Sequence, residues 1–338
     1  MKKKLYIMLL SALTLGGTFT SCSDNHMESV NTDDTKSPTI NPNAQLTTAL
    51  LQTYGDFGLM DTYRSYITGF TQYFAGGWNV SFYAGAVNPD NDQMRLIWDQ
   101  YYSVGIKNLV DAIHNSKDMP NTNAALRIHR VYLMSILTDT YGDIPCSEAG
   151  LGFIEGISNP KYDKQEDIYN WFFAELKDCV SQLGTGSDRI SGDVTSLNGD
   201  TDLWKKYANS LILRFAMRIS DVNPALAQQE FEGVLASESG YIGNSNENAY
   251  VKYLDAPFTL YDGSRDLDFR ANALSEILYG QDPTSPTFVC STLYNMLKDN
   301  NDPRLLKICR NYINTTRSET KPEGCFDVTD DMIAWENA

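Results

Sequence analysis

Aromatic side chains alternate with small and polar residues between positions 69 and 85. Sugar rings present apolar C–H faces that stack on aromatic rings, and Tyr and Trp add a polar tip at little cost in rotamer entropy. The segment therefore predicts a loop that binds an oligosaccharide. For any single ring, anchoring the loop to the core is the favoured interpretation, whereas for at least one ring a ligand contact is favoured. The predicted ligand contacts are Trp78, Tyr73, Tyr83 and Phe74.

Signatures of catalytic and metal sites are mostly absent from the sequence. The chain has three His, His26, His114 and His129, and contains no HExxH, GxxxxGK[ST] or GxSxG pattern. His129 lies in a helical stretch between Arg127 and Arg130, where a structural or surface role is favoured over that of a base. A glycoside hydrolase needs two carboxylates facing each other across a cleft. The 43 acidic residues give no way to choose such a pair, so a hydrolase is permitted but not indicated.

Two acidic loops have the composition of a calcium site. They span residues 188–202 and 262–268, and both are rich in the oxygen ligands that calcium prefers. Neither follows the spacing of an EF-hand loop, and acidic clusters also arise without a metal in a chain of charge −16. No cofactor is predicted, and a structural calcium ion stays open. The side chains concerned are Asp193, Asn198, Asp200, Asp202, Asp262, Asp266 and Asp268.

The N-terminal residues have the pattern of a secretory signal peptide. Lysines at positions 2–4 precede an apolar stretch over residues 5–15, which is too short for a membrane-spanning helix. Cys22 follows where the small and polar residues end, as in a bacterial lipobox, so we expect it to become the lipidated N-terminus. A plain secretory signal is the alternative. We expect residues 1–21 to be the lipoprotein signal peptide and residues 22–43 to form a lipidated flexible tether.

Composition excludes several classes of protein. Asp and Glu number 43 against 27 Lys and Arg, which argues against a nucleic-acid partner because phosphate backbones need clustered basic residues. The hydrophobic fraction of 42% provides for a sizeable core and argues against a disordered chain. Besides Cys22, the five cysteines are irregularly spaced and form no CxxC. Buried free thiols are therefore favoured over a disulfide framework or a zinc ribbon, with one incidental disulfide left open.

Apolar periodicity predicts that the body of the chain is helical. Residues 98–113 carry an i, i+3, i+4 apolar stripe, and residues 123–141 are apolar on more than one face, which is typical of a helix buried between neighbours. The predicted fold class is all-α, with a tetratricopeptide-like helical scaffold over residues 44–338 and long irregular ligand-binding loops. The predicted helices span 98–113, 123–141, 168–183, 203–220 and 224–236, with a short one opened by Asp302 and Pro303. The predicted loops span 69–93, 141–163, 184–201, 240–269 and 280–286.

Four ordered segments carry recognisable motifs. Residues 141–149 read YGDIPCSEA, residues 162–169 read YDKQEDIY, residues 204–214 read WKKYANSLILR, and residues 301–305 read NDPRL. Together with the lipoprotein signal, they resemble the SusD/RagB family, the surface glycan-binding lipoproteins of Bacteroidetes. Cys146 stands where this family usually has Tyr. Physically the motifs are structural, since they fix turns and pack a helix, and they do not identify the ligand.

The resemblance implies a non-enzymatic role at the outer face of the cell outer membrane. Members of the family form a lid over a SusC-like TonB-dependent transporter. They deliver oligosaccharides to it or, in the RagB branch, peptides. The expected function is therefore oligosaccharide binding by a lipid-anchored surface protein and delivery to that transporter. A peptide-binding RagB-type uptake protein is the alternative, and a lipid-anchored glycoside hydrolase is less favoured. The family's pattern continues past NDPRL into further helices, so the resemblance also implies a chain that is incomplete at its C-terminus.

Overall fold

The structure of the chain is a computed structural model that describes residues 40–53, 62–76, 80–252 and 287–308. Helices dominate this part, which confirms the all-α prediction. None of the described helices has both the length and the apolar character needed to cross a membrane. The principal helices are α1 (Pro42–Thr53), α2 (Leu96–Gln100, π-helical Tyr101–Ile106 and Lys107–His114 in succession), α3 (Pro120–Tyr141), α4 (Gln165–Gln182), α5 (Thr201–Arg218), α6 (Pro224–Leu235), α7 (Ser291–Asp299) and α8 (Leu305–Ile308). Shorter helical segments span Tyr63–Ile67, Thr68–Phe70, Ser81–Gly85, Asn91–Met94, Gly152–Glu155 and Ser245–Glu247, and the strands are β1 (Phe74–Gly76) and β2 (Thr287–Val289).

The longer predicted helices are present as α2 to α6, with ends that differ by up to three residues. Capping residues set their true starts. Asp200 Oδ1 accepts hydrogen bonds from the backbone N–H groups of Asp202 and Leu203 at 2.8 and 3.1 Å, which begins α5. Pro120 occupies the first turn of α3. As predicted, α3 is buried on several faces, because α1, α2 and α4 all pack against it.

Helices α3 to α6 pack in sequence order, each against the next. At the contact between α4 and α5, the ring centroids of Phe172 and Phe215 lie 4.9 Å apart, and the two side chains are 0% and 1% exposed. Tyr169 meets Phe215 edge-on at 5.9 Å. Consecutive helices that pack on one another form the arrangement of a helical repeat scaffold, in agreement with the predicted tetratricopeptide-like architecture.

An ion-pair network with little solvent exposure joins α3 to α4. The Arg127 guanidinium donates to both carboxylate oxygens of Glu175 at 2.9 and 2.8 Å, and Arg130 donates to the same carboxylate at 3.0 Å. Burial by itself would raise the pKa of Glu175, but the hydrogen bonds from Arg127 and the charge of Arg130 together lower it. The bidentate geometry fixes how α4 sits on α3.

His129 lies inside the contact between α1 and α3. Its side chain is 1% exposed, and its Nε2 is 3.1 Å from the Thr53 hydroxyl of α1. Burial lowers the pKa of His129 to about 4, so the imidazole is neutral at neutral pH. The structural role favoured from the sequence is confirmed.

Helix α1 was not among the predicted helices. Its residues Leu46, Ala49 and Leu50 have helical spacing and are buried, and this pattern was the available signal. The start of α1 docks on the loop before α5, where Asn43 Oδ1 accepts the backbone N–H of Gly192 at 2.8 Å. A Cβ at Gly192 would lie 1.9 Å from the Asn43 carbonyl oxygen, so the close approach requires glycine.

The segment that reads YGDIPCSEA forms a turn between α3 and α4. Asp143 Oδ1 accepts the backbone N–H of Gln165 at 2.9 Å, which ties the turn to the start of α4. The Asp163 carboxylate accepts the backbone N–H groups of Cys146 and Ser147 at 3.0 and 2.7 Å. These contacts confirm the structural interpretation of the motif, and Cys146 takes part through its backbone rather than its thiol.

The prediction of an irregular loop over residues 69–93 is wrong in part. That stretch contains β1 and the short helical segments Ser81–Gly85 and Asn91–Met94. The strand has three residues and is held by a partner far along the chain, so no local period marks it. By contrast, residues 184–201 form the predicted irregular loop, and the predicted loop before α4 contains only one short helix, Gly152–Glu155.

The short helix predicted at Asp302 and Pro303 begins later, as α8 at Leu305. Asp302 Oδ1 accepts the backbone N–H of Arg304 at 2.9 Å, and its carboxylate also pairs with the Arg304 guanidinium at 2.6 Å. These bonds stabilise a turn that precedes α8. Asp302 and Pro303 are therefore not part of the helix.

Three of the cysteines predicted to be free thiols are described. Cys146, Cys179 and Cys290 form no disulfide. Burial raises the pKa of Cys146 and of Cys179 to about 12, so both thiols stay protonated at neutral pH. The predicted signal peptide, Cys22 and most of the tether lie outside the described residues, as do residues 253–269 of one predicted loop and the whole predicted loop over 280–286.

Candidate functional site

A two-stranded antiparallel ribbon joins the aromatic segment to a distant part of the chain. In the register of β1 and β2, Phe74 is opposite Val289. The backbone N–H of Cys290 donates to the carbonyl oxygen of Tyr73 at 2.9 Å, which extends the pairing by one residue. The ribbon thus brings the residues before α7 next to the segment in which ligand contacts were predicted.

The ribbon register separates its aromatic rings onto two faces. Directly opposite residues share a face, and successive residues alternate between faces. Phe288 is opposite Ala75, so it lies on the same face as Tyr73, while Phe74 lies on the other face with Val289. Tyr73 and Phe288 are 48% and 45% exposed, and diagonal neighbours on one face of a strand pair are close enough for aromatic side chains to reach each other.

A second group of rings packs next to β1 in the short helical segments on either side of it. Phe70 stacks on Tyr66 at 5.9 Å between centroids, Tyr66 contacts Tyr83 at 5.4 Å, and Phe82 meets Tyr83 edge-on at 5.0 Å. Tyr66 and Tyr83 are buried, at 5% and 7% exposed, whereas Phe70 and Phe82 are 58% and 42% exposed. The two buried rings therefore support the two exposed ones.

Close backbone approach and a buried phenol hold this group together. A Cβ at Gly69 would lie 2.5 Å from the Cβ of Ala84, so glycine lets the two helical segments meet. The Tyr66 hydroxyl donates to the carbonyl oxygen of Asn88 at 2.7 Å and accepts the backbone N–H of Asp90 at 2.8 Å. A ring with a fixed hydroxyl is a rigid base for the rings above it.

The four exposed rings Phe70, Tyr73, Phe82 and Phe288 are referred to below as the aromatic patch. The exposed amide of Gln72 and the hydroxyl of Thr292 lie next to it and are joined by a hydrogen bond from Thr292 Oγ1 to Gln72 Oε1 at 2.8 Å. The arrangement combines flat apolar faces with neutral hydrogen-bonding groups. It can stack on a ring-shaped ligand and hydrogen-bond its hydroxyl groups.

The predicted ligand contacts are not all brought together. Tyr73 is exposed in the aromatic patch, Phe74 lies on the opposite face of the ribbon, and Trp78 lies outside the described residues. Tyr83 packs between Tyr66 and Phe82 and has little surface to offer a ligand. Sequence reasoning missed Phe288, because only the pairing of β1 with β2 brings it to the site.

The acidic loop before α5 uses a carboxylate for internal hydrogen bonds. Asp193 Oδ1 accepts the backbone N–H and the hydroxyl of Thr195 at 2.8 and 2.7 Å. Its Oδ2 accepts the backbone N–H of Gly199 at 2.7 Å and the Trp204 indole N–H at 2.9 Å. Within the described part of the chain, no cluster of three or more His, Cys, Asp or Glu is placed to hold a metal ion. The loop over residues 262–268 lies outside that part, so a structural calcium ion stays a prediction.

One family model matches most of the chain. The family is SusD-like_2, described as starch-binding associating with outer membrane, and the match covers residues 32–330. The search of curated proteins finds no match.

Several solved structures are similar to this one. A protein described as Bacteroidetes AC2a SusD-like is 39% identical with a TM-score of 0.73, over 88% of this chain and 56% of its own length. A chitin-binding protein is 35% identical with a TM-score of 0.66, over 79% and 54% of the two chains. A SusD homologue from Bacteroides uniformis is 27% identical with a TM-score of 0.60, over 78% and 52%. The chain therefore spans about half the length of these relatives.

Proposed function

The chain belongs to the SusD-like family, and from that premise we propose that it is an outer-membrane surface lipoprotein that binds oligosaccharides. In this proposal it delivers them to a partner SusC-like TonB-dependent transporter and catalyses no reaction. The ligand contacts are the rings of the aromatic patch, together with Trp78 of the same segment.

The exposure of the aromatic patch is the observation that carries the proposal. Its rings keep between 42% and 58% of their surface open to solvent, although apolar rings gain free energy from burial. Two of them rest on the buried rings of Tyr66 and Tyr83, so they are held in place before a ligand arrives. Preformed aromatic surfaces lose little conformational entropy on binding, which favours them as stacking surfaces for sugars.

The relatives favour a neutral polysaccharide fragment as the ligand. The family description names starch, and one relative is described as chitin-binding. Starch and chitin both consist of pyranose rings, whose C–H faces match the rings of the aromatic patch. Oligomers of either polymer are therefore suitable probes.

The lipid anchor and the transporter partner complete the proposal. The sequence up to Cys22 supports the anchor, because this cysteine follows a signal-peptide pattern as in a lipobox. Lipidation with two or more acyl chains gives stable membrane attachment. Recovery of the mature protein in the membrane fraction, with incorporation of labelled palmitate, tests this part. Co-purification with a TonB-dependent transporter encoded next to its gene tests the partner.

Isothermal titration calorimetry with maltohexaose and chitohexaose tests the binding function. We expect the chain to bind at least one of them, and Tyr73→Ala to weaken that binding about tenfold because a stacking face is lost. Phe153→Ala is the matched control, since Phe153 is an aromatic residue that is 97% exposed in the short helix Gly152–Glu155 and is not one of the aromatic patch residues. We expect its affinity to equal that of the unmodified chain.

Two outcomes would overturn the proposal. Release of reducing sugar from the oligomers would indicate a glycoside hydrolase. Binding of peptides with no heat from either sugar would indicate a peptide-uptake protein of the RagB type.

A further inference from the structure

Four aromatic rings meet where α2, the end of α3 and the loop before α4 come together. Trp98 contacts Tyr102 at 4.7 Å between centroids, Tyr141 edge-on at 5.4 Å, and Tyr162 at 6.2 Å with an interplanar angle of 25°. Tyr162 is 64% exposed, and the other three rings are half-buried. These four residues are referred to as the Trp98 cluster. None of them belongs to the aromatic patch.

Hydrogen bonds hold two rings of the Trp98 cluster in place. The Tyr102 hydroxyl donates to the carbonyl oxygen of Pro145 at 2.6 Å, and the Tyr141 hydroxyl donates to that of Met94 at 2.6 Å. Burial raises the pKa of Tyr141 to about 12, so its phenol stays protonated and remains a donor. Trp98 packs against these two fixed rings and Tyr162 stacks on Trp98, so the outermost ring rests on an ordered base.

Tyr162 presents a ring face that core packing leaves open. It lies nearly parallel to Trp98, so one face of the phenol is covered and the other is turned away from the cluster. Lys161 and Lys164 stand on either side of it in the sequence, and both are exposed. The Lys161 ammonium group pairs with the Asp163 carboxylate at 3.7 Å, and both lysines have further N–H groups that can donate to the hydroxyl or acetamido oxygens of a sugar.

A short segment connects the Trp98 cluster to the aromatic patch. Tyr66, which supports Phe70, is hydrogen-bonded to the backbone at Asn88 and Asp90. The next element is the helical segment Asn91–Met94, whose last carbonyl accepts the Tyr141 hydroxyl. A helix of that length rises only about 6 Å, so one short segment, residues 88–94, carries hydrogen-bond partners of both aromatic groups.

We propose that the Trp98 cluster is a second sugar-stacking surface, with Tyr162 as its contact ring, which engages the far end of an oligosaccharide held at the aromatic patch. The inference rests on the proposed function and deepens it. Its consequence is a preference for longer chains, because only they reach both surfaces. The second contact acts as an intramolecular event and raises affinity without altering the first.

Calorimetry with oligomers of two lengths tests the inference. The probes are chitobiose with chitohexaose, and maltose with maltohexaose. We expect Tyr162→Ala to weaken binding of the hexasaccharide about tenfold and to leave binding of the disaccharide unchanged. Tyr162→Leu keeps apolar contact with Trp98 but lacks the flat face, so we expect the same selective loss. Tyr162→Phe keeps the ring and should bind like the unmodified chain.

The outcomes separate this inference from the proposed function. If the unmodified chain binds sugars and the Ala and Leu variants keep full affinity for the hexasaccharide, the second surface is refuted while the function stands. Equal losses for both oligomer lengths would place Tyr162 in the primary site and refute a separate surface. If the unmodified chain binds neither sugar, both proposals fail together. The midpoint of thermal unfolding is measured for every variant as a control. Equal midpoints show that differences in affinity do not come from misfolding.

Discussion

The aromatic residues of the helical scaffold and those of the aromatic patch are of the same types but differ in exposure. Each ring of the patch keeps between 42% and 58% of its surface open. In the scaffold, a ring such as Phe172 packs between two helices, whereas the rings of the patch lie on the two-stranded ribbon or on the short helical segments next to it. The candidate site is therefore distinguished by the solvent exposure of its aromatic rings and not by the number of aromatic residues. The largest fully buried side chains include Trp204, Tyr101, Phe172 and Phe215.

The two regions also differ in how their polar groups are used. In the scaffold, the Trp204 indole N–H donates to Asp193, and the Asn209 amide donates to the carbonyl oxygen of Gly240 at 2.6 Å. The ribbon is held by two strands of three residues each and by the bond from Cys290. We therefore expect substitutions in the scaffold to lower the free energy of unfolding, and substitutions in the aromatic patch to lower ligand affinity.

The largest expected effect separates the two regions directly. Phe172→Ala leaves a cavity between α4 and α5 next to Phe215, so we expect the free energy of unfolding to fall by about 3–5 kcal/mol. Tyr73→Ala removes an exposed ring, and we expect a change within about 0.5 kcal/mol. Urea denaturation followed by circular dichroism measures both. Similar losses for the two variants would show that the aromatic patch is part of the core and that the two regions do not differ in this way.

A smaller effect, which depends on pH, tests the scaffold through His129. Burial lowers the pKa of this residue from 6.5 to about 4 in the folded state. Between these values the unfolded chain binds the proton and the folded chain does not, so the free energy of unfolding falls as pH drops through this window. The expected loss is about 3 kcal/mol, complete near the lower value.

His129→Gln removes this titration, and the control is the same pH series on Tyr73→Ala. We expect the His129→Gln variant to lose less stability than the unmodified chain as pH falls from 6.5 to about 4, and Tyr73→Ala to follow the unmodified chain. Urea midpoints at each pH supply the measurement. Parallel curves for all three proteins would mean that the pKa of His129 is the same in the folded and unfolded states, which contradicts the prediction.

The helices could be predicted from the sequence because their signal is local. Apolar residues three and four positions apart share a helix face, and this pattern located α2 to α5, while Pro224 at the first turn indicated α6. The position of Phe288 could not be predicted, since it depends on strand pairing between distant residues. The burial of Tyr83 was hidden for another reason: its helical segment, Ser81–Gly85, is too short to show a period. Composition therefore predicts which segment of the chain contains the candidate site. Which of its residues share an exposed surface follows only from the fold.

The smallest expected effect distinguishes the two faces of the ribbon. Phe288 shares a face with the exposed Tyr73, while Phe74 lies on the other face with Val289. If the ligand stacks on the Tyr73 face, Phe288→Ala should weaken oligosaccharide binding by about fivefold, near 1 kcal/mol, and Phe74→Ala should leave affinity unchanged.

The double variant Tyr73→Ala with Phe288→Ala sharpens this comparison. Because the two rings would touch the same sugar, their effects on affinity should not add, whereas each single effect should add to that of Phe74→Ala. Loss of affinity in Phe74→Ala with none in Phe288→Ala would move the ligand to the opposite face. That result would keep Phe74 as a ligand contact, as predicted from the sequence, and would remove Phe288 from the site. The ribbon register thus assigns the neighbouring aromatic residues to two faces. Calorimetry on the single variants decides which face binds the ligand.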